Sequence, residues 1–272
     1  MTLLHRARVI AQRMGLDVNR FPQCSLDYRV VQLILRSRIG VVVDVGANRG
    51  QYGAMLRRFG YHGKIVSFEP LREPLRMLTR RAGADPRWTV LPYALGDRNG
   101  RITVNVAGNG YASSSVLPML SRHAEACPES RYVDVQEAEQ LRLDAIWPEV
   151  VDPVERVFLK IDVQGYEGAV LEGAGDLVGQ CSGLQMEVSS VPLYEGGLLL
   201  EDALRIAQHQ HGMTLAALVP GFTDIRTGQM LQCDAVFLRD VVRDNPTSSV
   251  TRHSGLGAMP RSAGSRAPES AR

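Results

Sequence analysis

A short apolar run that ends in a glycine-containing turn constrains the fold of this chain more than any other feature. The run is Val41–Val45, broken only by Asp44, and Gly46 opens the turn. Apolar residues then recur at helical spacing from Tyr52 to Phe59. A strand that is apolar on both faces is typical of a parallel sheet. The order strand, turn, helix therefore predicts the first half of a βαβ unit, with a ligand-binding turn at the strand's carboxyl end.

The residues of this turn narrow the ligand class. A dinucleotide-binding turn has three glycines in the pattern G-x-G-x-x-G, whereas this chain has Asn48 at the second position and Gln51 at the third. Pyrophosphate binding is therefore weakly supported. Asp44 would suit an amine better than a phosphate, and Glu69, after the next apolar run, would accept hydrogen bonds from both hydroxyls of a ribose. A nucleoside site that is rich in acids and poor in phosphate contacts fits S-adenosylmethionine.

Several blocks between about Ile39 and Asp240 also resemble one known family, the FkbM family of S-adenosylmethionine-dependent methyltransferases. The blocks are, in order, VDVGANRGQY, SFEP, ALGD, LKIDVQGYEGAVLEGA and QMEVSSVPLYEGG. One departure is Tyr93, where the family usually has Asn before ALG. The resemblance implies an α/β protein with the Rossmann-like class I methyltransferase fold. Its sheet would have seven strands, mostly parallel with one antiparallel, and helices on both faces.

The strand ends supply the candidate cofactor contacts. Backbone amides of the glycine turn would lie against the methionine part of the cofactor, and Asp44 would hold its amine directly or through water. Glu69 would bind the ribose, and the segment around Ala94 would line the adenine. The predicted cofactor-binding residues are Asp44, Gly46, Asn48, Gly50, Glu69, Ala94 and Leu95, with Tyr93 beside them.

Acids that end predicted parallel strands supply the candidate catalytic residues, since ligands bind outside the carboxyl ends of such strands. Asp162 is predicted to be the base or orienter for methyl transfer to a hydroxyl. Glu187 is a second base, a ligand of a substrate hydroxyl, or part of a Mg²⁺ site with Asp162. A single strand-end acid also serves as a helix N-cap. The predicted substrate contacts are Gln164, Tyr166, which packs in the alternative reading, and His123, otherwise a polar surface residue.

Composition bears on partners and compartment. Lys and Arg number 31 against 29 Asp and Glu, and this near-balance argues against nucleic acid as a partner. The cysteines are scattered without C-x-x-C spacing, which is typical of reduced thiols. No apolar segment approaches the roughly 20 residues of a membrane span. We predict a cytoplasmic protein, with a basic first helix that either caps the fold or touches the inner face of a membrane.

Three segments are predicted along the chain: a helical segment over 1–38, the methyltransferase domain over 39–242 and a disordered tail over 243–272. The long polar stretch 108–128 is interpreted as a lid on the substrate side, with a plain insertion as the alternative.

The predicted function is O-methyl transfer from S-adenosylmethionine to a hydroxyl of a glycosylated secondary metabolite or of a glycolipid sugar. The partner is accordingly a small-molecule or lipid-linked sugar. Two alternatives remain at this point. One is a NAD(P)-dependent Rossmann oxidoreductase, which would use the same acid after the second strand. The other is a non-catalytic module that binds the cofactor. The acceptor, the hydroxyl and the oligomeric state are left open.

Overall fold

The computed structural model describes residues 25–239 and, before them, residues 5, 7, 10, 11, 13, 14, 21 and 22. The predicted tail over 243–272 and most of the first two dozen residues of the segment 1–38 lie outside the described residues. The helices are α1 Leu26–Arg36, α2 Gln51–Arg58, α3 Arg72–Ala82, α4 Ser121–Ala126, α5 Leu143–Val150, α6 Glu167–Ala174 and α7 Leu200–Arg205. The strands are β1 Val41–Val45, β2 Lys64–Phe68, β3 Trp88–Leu91, β4 Ala94–Leu95, β5 Gly100–Ala107, β6 Tyr132–Leu141, β7 Val157–Ile161, β8 Gly183–Ser189, β9 Thr214–Pro220, β10 Thr223–Asp224, β11 Gln229–Met230 and β12 Gln232–Leu238.

The main sheet has seven strands in the order β3-β2-β1-β7-β8-β12-β9. Neighbours from β3 to β8 pair in parallel, and β12 pairs antiparallel with both β8 and β9. The chain therefore runs from the centre of the sheet to one edge, returns, and builds the other half. A switch point of this kind forms between β1 and β7, where a ligand crevice is expected at the carboxyl ends of the strands. The predicted fold class is confirmed.

Side chains alternate between the two faces of this sheet, and each face packs against its own helices. Val41, Val43 and Val45 belong to one core, shared with α5, α6 and α7. Val42 and Phe158 belong to the other, shared with α1, α2 and α3. Both cores are apolar, so β1 and β7 are buried on both faces, as their sequence predicts.

A second sheet of three strands lies between β3 and β7 in the chain. It has the order β4-β6-β5, with β5 and β6 antiparallel and the short β4 parallel to β6. The alternating stretches at 102–106 and 133–136 lie within its two main strands. The pairing of β4 with β6 holds Ala94 and Leu95 beside the end of the main sheet, which places them at the ligand crevice.

Near the carboxyl end of the domain the helical stretch over 200–210 has two parts. It begins as α7 and continues as a π-helical turn over Ile206–Gln210. The turn-rich stretch before β12 holds the small hairpin β10–β11. Within the part of the chain that the structure describes, no helix is both long enough and apolar enough to cross a membrane.

Candidate functional site

Two neighbouring cavities open at the carboxyl edge of the parallel strands. The first has about 690 Å³ of empty space with its mouth included, and the second about 840 Å³ on the same measure. Ligands of open α/β sheets bind in crevices at this edge, outside the carboxyl ends of the strands. The cavities share a wall, formed by Gly46, Asn48, Ala112, Asp162 and Gln164.

The first cavity is lined mainly by apolar side chains from β4, β5 and α3, with Glu69 as its main buried acid. The Glu69 carboxylate is only 5% exposed and accepts hydrogen bonds from the backbone N–H groups of Asn48 (2.8 Å) and Leu71 (2.9 Å). Burial raises the pKa of this carboxyl to about 7, although the two N–H groups oppose the shift. The predicted adenine residues Tyr93, Ala94 and Leu95 all line this cavity.

The backbone amides of the glycine turn are engaged inside the protein. The N–H groups of Gly46 and Ala47 donate to the Phe68 carbonyl, and that of Gly50 donates to the Ala47 carbonyl. These N–H groups are therefore not free to donate to a ligand, and the prediction that they do so is wrong. Gly46 and Asn48 still line the first cavity, whereas Gly50 does not.

Two of the turn glycines are required by packing. A Cβ on Gly46 would collide with the backbone carbonyl of Asp162, so glycine lets β1 and β7 end close together. A Cβ on Gly50 would lie 2.8 Å from Leu78 Cδ1 and close to the Trp88 ring. Both residues also have a left-handed backbone, with φ of 77°. Gly50 thus fixes the start of α2 and is not a ligand contact.

Three non-glycine residues around the first cavity share the left-handed conformation. They are Asn48 (φ 48°), Tyr111 (φ 74°) and Gln164 (φ 58°). Such a conformation costs of order 1–3 kcal/mol per residue and persists only where the surroundings enforce it. It turns Asn48 and Gln164 into the shared wall between the cavities. The side-chain oxygen of Asn48 is buried there without a hydrogen-bond partner among the described residues.

A row of polar residues crosses the main sheet beneath the second cavity. Ser67, Asp44, Lys160 and Gln185 occupy facing positions on β2, β1, β7 and β8. Asp44 is fully buried, with Lys160 Nζ 3.3 Å from Oδ1 and Ser67 Oγ donating to Oδ2 at 3.2 Å. Burial raises the pKa of Asp44, and the Lys160 ammonium opposes this. The predicted role of Asp44 in holding a ligand amine is corrected, since its partner is Lys160 and it lines neither cavity.

Lys160 connects this row to the candidate catalytic acid. Its Nζ lies 3.2 Å from Asp162 Oδ2, as well as within reach of Asp44, and the Tyr52 ring covers it at 5.4 Å. Burial lowers the pKa of this ammonium, but Asp162 and Asp44 together raise it by a larger amount. The pKa of Lys160 is therefore above its ordinary value. Lys160 therefore stays charged and pairs with Asp162.

Gln164 joins the two candidate catalytic acids. Its Nε2 donates to Asp162 Oδ1 (3.0 Å) and also to Glu187 Oε2, and its Oε1 accepts from the Tyr194 hydroxyl (2.8 Å). Gln232 Nε2 donates to the same Glu187 oxygen at 3.0 Å. Burial first, and then nearby acids, raise the pKa of Glu187 well above its ordinary value. Gln164 is thus a positioning residue for Asp162 and Glu187.

This arrangement does not favour the predicted Mg²⁺ site. An amide nitrogen lies between Asp162 and Glu187, and the Lys160 ammonium takes the other Asp162 oxygen. Both are hydrogen-bond donors, whereas Mg²⁺ requires oxygen ligands. Among the described residues, no group of three or more His, Cys, Asp or Glu side chains is arranged to hold a metal ion.

The remaining predicted substrate contacts lie elsewhere. Tyr166 lines the first cavity, and its hydroxyl donates to Asp97 Oδ1 at 3.2 Å. His123 lines neither cavity. It is 2% exposed and packs against the rings of Tyr194 and Phe222 at 5.1 and 5.0 Å. Burial lowers the pKa of His123 to about 4, so the imidazole is neutral and its substrate role is not supported.

The stretch over 108–128 lies against the first cavity through residues 111–116. Ser115 Oγ donates to the Gln164 carbonyl at 2.7 Å, and the Arg49 guanidinium lies over the Tyr111 ring at 5.7 Å. These contacts fasten the stretch to the shared wall and to the turn after β1. Of its residues Ala112 alone is shared with the second cavity, so a lid on the substrate side stays a prediction.

The sequence reading missed several polar residues of the second cavity. Lys160, Gln185 and Asp234 lie inside the apolar runs of β7, β8 and β12, and Tyr52 belongs to the apolar pattern of α2. The signal was available, because a polar side chain in a strand buried on both faces requires a partner or a ligand. Asp234 faces Glu187 across β8 and β12, and burial raises the pKa of Asp234 to about 6.

Comparison with known proteins agrees with this geometry. The family described as "Methyltransferase FkbM domain" matches residues 44–227. The chain is also similar to the 2-O-methyltransferase NoeI of Sinorhizobium fredii, at 26% identity over 68% of this chain and 78% of that protein.

Two solved structures are similar at low identity. One is a putative RNA methyltransferase from Pyrococcus horikoshii, with 13% identity, a TM-score of 0.41 and coverage of 89% of this chain and 99% of that one. The other is an rRNA methylase from Streptococcus thermophilus, with 12% identity, a TM-score of 0.40 and coverage of 81% and 97%. Both TM-scores are below 0.5, and the sheet topology of the chain itself carries the fold assignment.

Proposed function

Since the chain belongs to the FkbM methyltransferase family, we propose that it transfers a methyl group from S-adenosylmethionine to a sugar hydroxyl of a glycosylated secondary metabolite or a glycolipid. The observation that carries this proposal is the position of Asp162. Its carboxylate lies in the wall shared by an apolar cavity suited to a nucleoside and a polar cavity suited to a hydroxyl compound.

The residues of the first cavity fit S-adenosylmethionine. Glu69 offers carboxylate oxygens to the ribose hydroxyls while its two backbone donors hold it in place. Tyr93 and Leu95 offer apolar surface to the adenine, and the unpartnered side-chain oxygen of Asn48 accepts a polar group of the ligand. When bound, this cofactor supplies an electrophilic methyl group on a sulfonium.

Asp162 would receive the hydroxyl proton or orient the hydroxyl. Lys160 and Gln164 each hold one of its oxygens, at 3.2 and 3.0 Å, so the carboxylate is fixed before any acceptor arrives. Holding two reactants in line contributes about 7–11 kcal/mol to lowering a barrier, and a positioned base contributes a further ~10²–10⁴-fold in rate. The chain's own part in the reaction is therefore mainly positioning, with Asp162 as the proton acceptor.

Oxygen as the methyl acceptor is supported by the similarity to NoeI, whose name describes a 2-O-methyltransferase. It is also supported by the side chains of the second cavity. Gln51, Gln185, Glu187 and Asp234 offer amide and carboxylate groups that suit a compound with several hydroxyls.

Calorimetric titration with S-adenosylmethionine and, separately, with NAD tests the cofactor. We expect S-adenosylmethionine to bind the wild type, to bind Glu69→Ala at least tenfold more weakly, and to bind the control Glu139→Ala unchanged, since Glu139 is exposed on β6. Glu69→Gln keeps an acceptor for the backbone donors and separates loss of the ribose contact from loss of the turn. Tighter binding of NAD would overturn the proposal in favour of the oxidoreductase.

Transfer of labelled methyl to a panel of neutral glycosides tests the acceptor. We expect product on at least one glycoside, and the rate to be unchanged by EDTA because the Asp162 and Glu187 carboxylates are held by protein donors. Cofactor binding without transfer to any hydroxyl of the panel would contradict the sugar acceptor.

A further inference from the structure

The second cavity is distinct from the cofactor cavity and draws on different parts of the chain. Asp27 comes from α1, Tyr52 and Met55 from α2, Gln185 from β8 and Asp234 from β12. It meets the first cavity only at the shared wall that contains Asp162. A compound bound in it would therefore reach Asp162 from a different side than a ligand of the first cavity, which contains Tyr93, Ala94 and Leu95.

The charges that face this cavity are unbalanced. Three aspartates line it, Asp27, Asp162 and Asp234, against one base, Lys160; Glu187 also lines it, but burial raises the pKa of that carboxyl well above its ordinary value. Among the described residues, Lys160 forms its ion pairs with Asp44 and Asp162, at 3.3 and 3.2 Å. At neutral pH the Asp234 carboxyl is ionised, since its pKa is raised only to about 6.

Asp234 is also held in place from below. The Tyr52 hydroxyl donates to Gln185 Oε1 at 2.9 Å, and the Gln185 amide hydrogen-bonds the Asp234 carboxylate. Gln185 is 4% exposed, so this chain of hydrogen bonds is anchored in the sheet. The buried side-chain oxygen of Asn48, which has no partner among the described residues, lies in the wall between the two cavities, where cofactor and acceptor would meet.

We infer that the second cavity receives the acceptor and acts as a charge filter, in which Asp234, together with Asp27, admits neutral or cationic glycosyl groups and rejects those that carry a carboxylate or a phosphate. This inference rests on the proposed function and adds its substrate class. Fixed carboxylates accept hydrogen bonds from sugar hydroxyls, whereas an anionic group beside them meets like charge in a partly desolvated site.

The test is calorimetric titration of the protein saturated with S-adenosylhomocysteine, using three glycosides that differ in one charged group. These are methyl glucoside, methyl glucosaminide and methyl glucuronide. We expect the dissociation constant of the glucuronide to exceed that of the glucoside by at least tenfold, and the glucosaminide to bind as tightly as the glucoside or more tightly. In Asp234→Asn the difference between glucoside and glucuronide should fall below about threefold. The control Asp134→Asn makes the same change at an exposed position of β6 and should leave the difference unchanged.

Binding of S-adenosylhomocysteine to each variant serves as the check on folding. Equal binding of the three glycosides, tighter binding of the glucuronide, a difference that survives in Asp234→Asn, or no binding of any glycoside would each overturn the inference. Methyl transfer is measured in parallel. If the binding difference holds but no glycoside is methylated, the proposed function fails and the charge filter stands for another class of hydroxyl compound.

Discussion

The two cavities differ in how their residues are distributed along the chain. The first is built from short segments that follow individual strands, such as the turn after β1, the Glu69 segment after β2 and the Tyr93–Leu95 segment after β3. The second gathers single residues from α1, α2, β7, β8 and β12, which are separated by up to two hundred positions in sequence. The first is mainly apolar, and the second is polar and acidic.

This difference shows which part of the site is formed by residues that are close together in sequence. A nucleoside needs a turn and a strand end, both of which are made by consecutive residues. An acceptor meets the surface that the whole sheet presents, and that surface depends on strand order and register. Within the shared wall the two kinds of site meet at Asp162. Substitutions at residues of both cavities, at the shared wall, or in one cavity alone can therefore test whether the two cavities have separate roles.

The largest expected effect comes from Asp162→Asn, because this residue serves both cavities. Loss of a positioned base should lower kcat by about 10²–10⁴-fold. Asn retains an oxygen for Gln164, so cofactor binding should change by less than threefold. Steady-state methyl transfer and cofactor titration on the same sample measure the two quantities. A kcat within threefold of the wild type would show that Asp162 is not the proton acceptor, and a parallel loss of cofactor affinity would show that the two cavities are not separable.

The sequence predicts the parts of the fold that depend on local pattern. The bounds of β1 agree with the predicted run Val41–Val45, because a strand buried on both faces is a continuous apolar run that stops at a turn. Glu69, Ala94 and Leu95 line the first cavity, and their contact with a cofactor stays a prediction.

The sequence does not reveal which polar groups become neighbours across the sheet. Asp44 looks like a ligand contact until the register places Lys160 opposite it. Gly50 looks like part of the binding turn until α3 and β3 fill the space where its side chain would be. His123 looks exposed in a polar stretch until Tyr194 and Phe222 enclose it. Each of these depends on residues far away in sequence, which a local pattern does not contain.

The next largest effect is expected for Glu167, which holds the backbone beside the shared wall. Glu167 Oε1 accepts from the N–H groups of Val163 (2.9 Å) and Gly165 (3.2 Å), and burial raises the pKa of this carboxyl to about 7. Between its ordinary pKa of 4.5 and 7 the folded protein keeps a proton that the unfolded chain releases. The free energy of unfolding should therefore fall as pH rises through this window, by up to about 3 kcal/mol, and level off above pH 7.

Glu167→Gln retains an acceptor for both N–H groups but does not titrate. Urea unfolding at pH 5, 6, 7 and 8 should therefore show a smaller loss of stability with rising pH in this variant than in the wild type. A residual slope should remain, since Glu69 and Asp234 also have raised pKa values. A variant with the full wild-type slope would mean that Glu167 is not protonated in the folded protein and that the wall is held differently.

The smallest effect should come from Tyr52→Phe, which removes one hydroxyl from the second cavity alone. The hydroxyl donates to Gln185 Oε1 at 2.9 Å, and Phe keeps the ring over Lys160. A hydrogen bond of this kind contributes about 0.5–1.5 kcal/mol, so KM for the acceptor should rise about two- to tenfold. The dissociation constant of the cofactor should not change.

Tyr93→Phe is the matched control, because Tyr93 lines only the first cavity, and it should leave the acceptor KM unaltered. If Tyr52→Phe instead weakened the cofactor and spared the acceptor, the assignment of the two cavities would have to be exchanged.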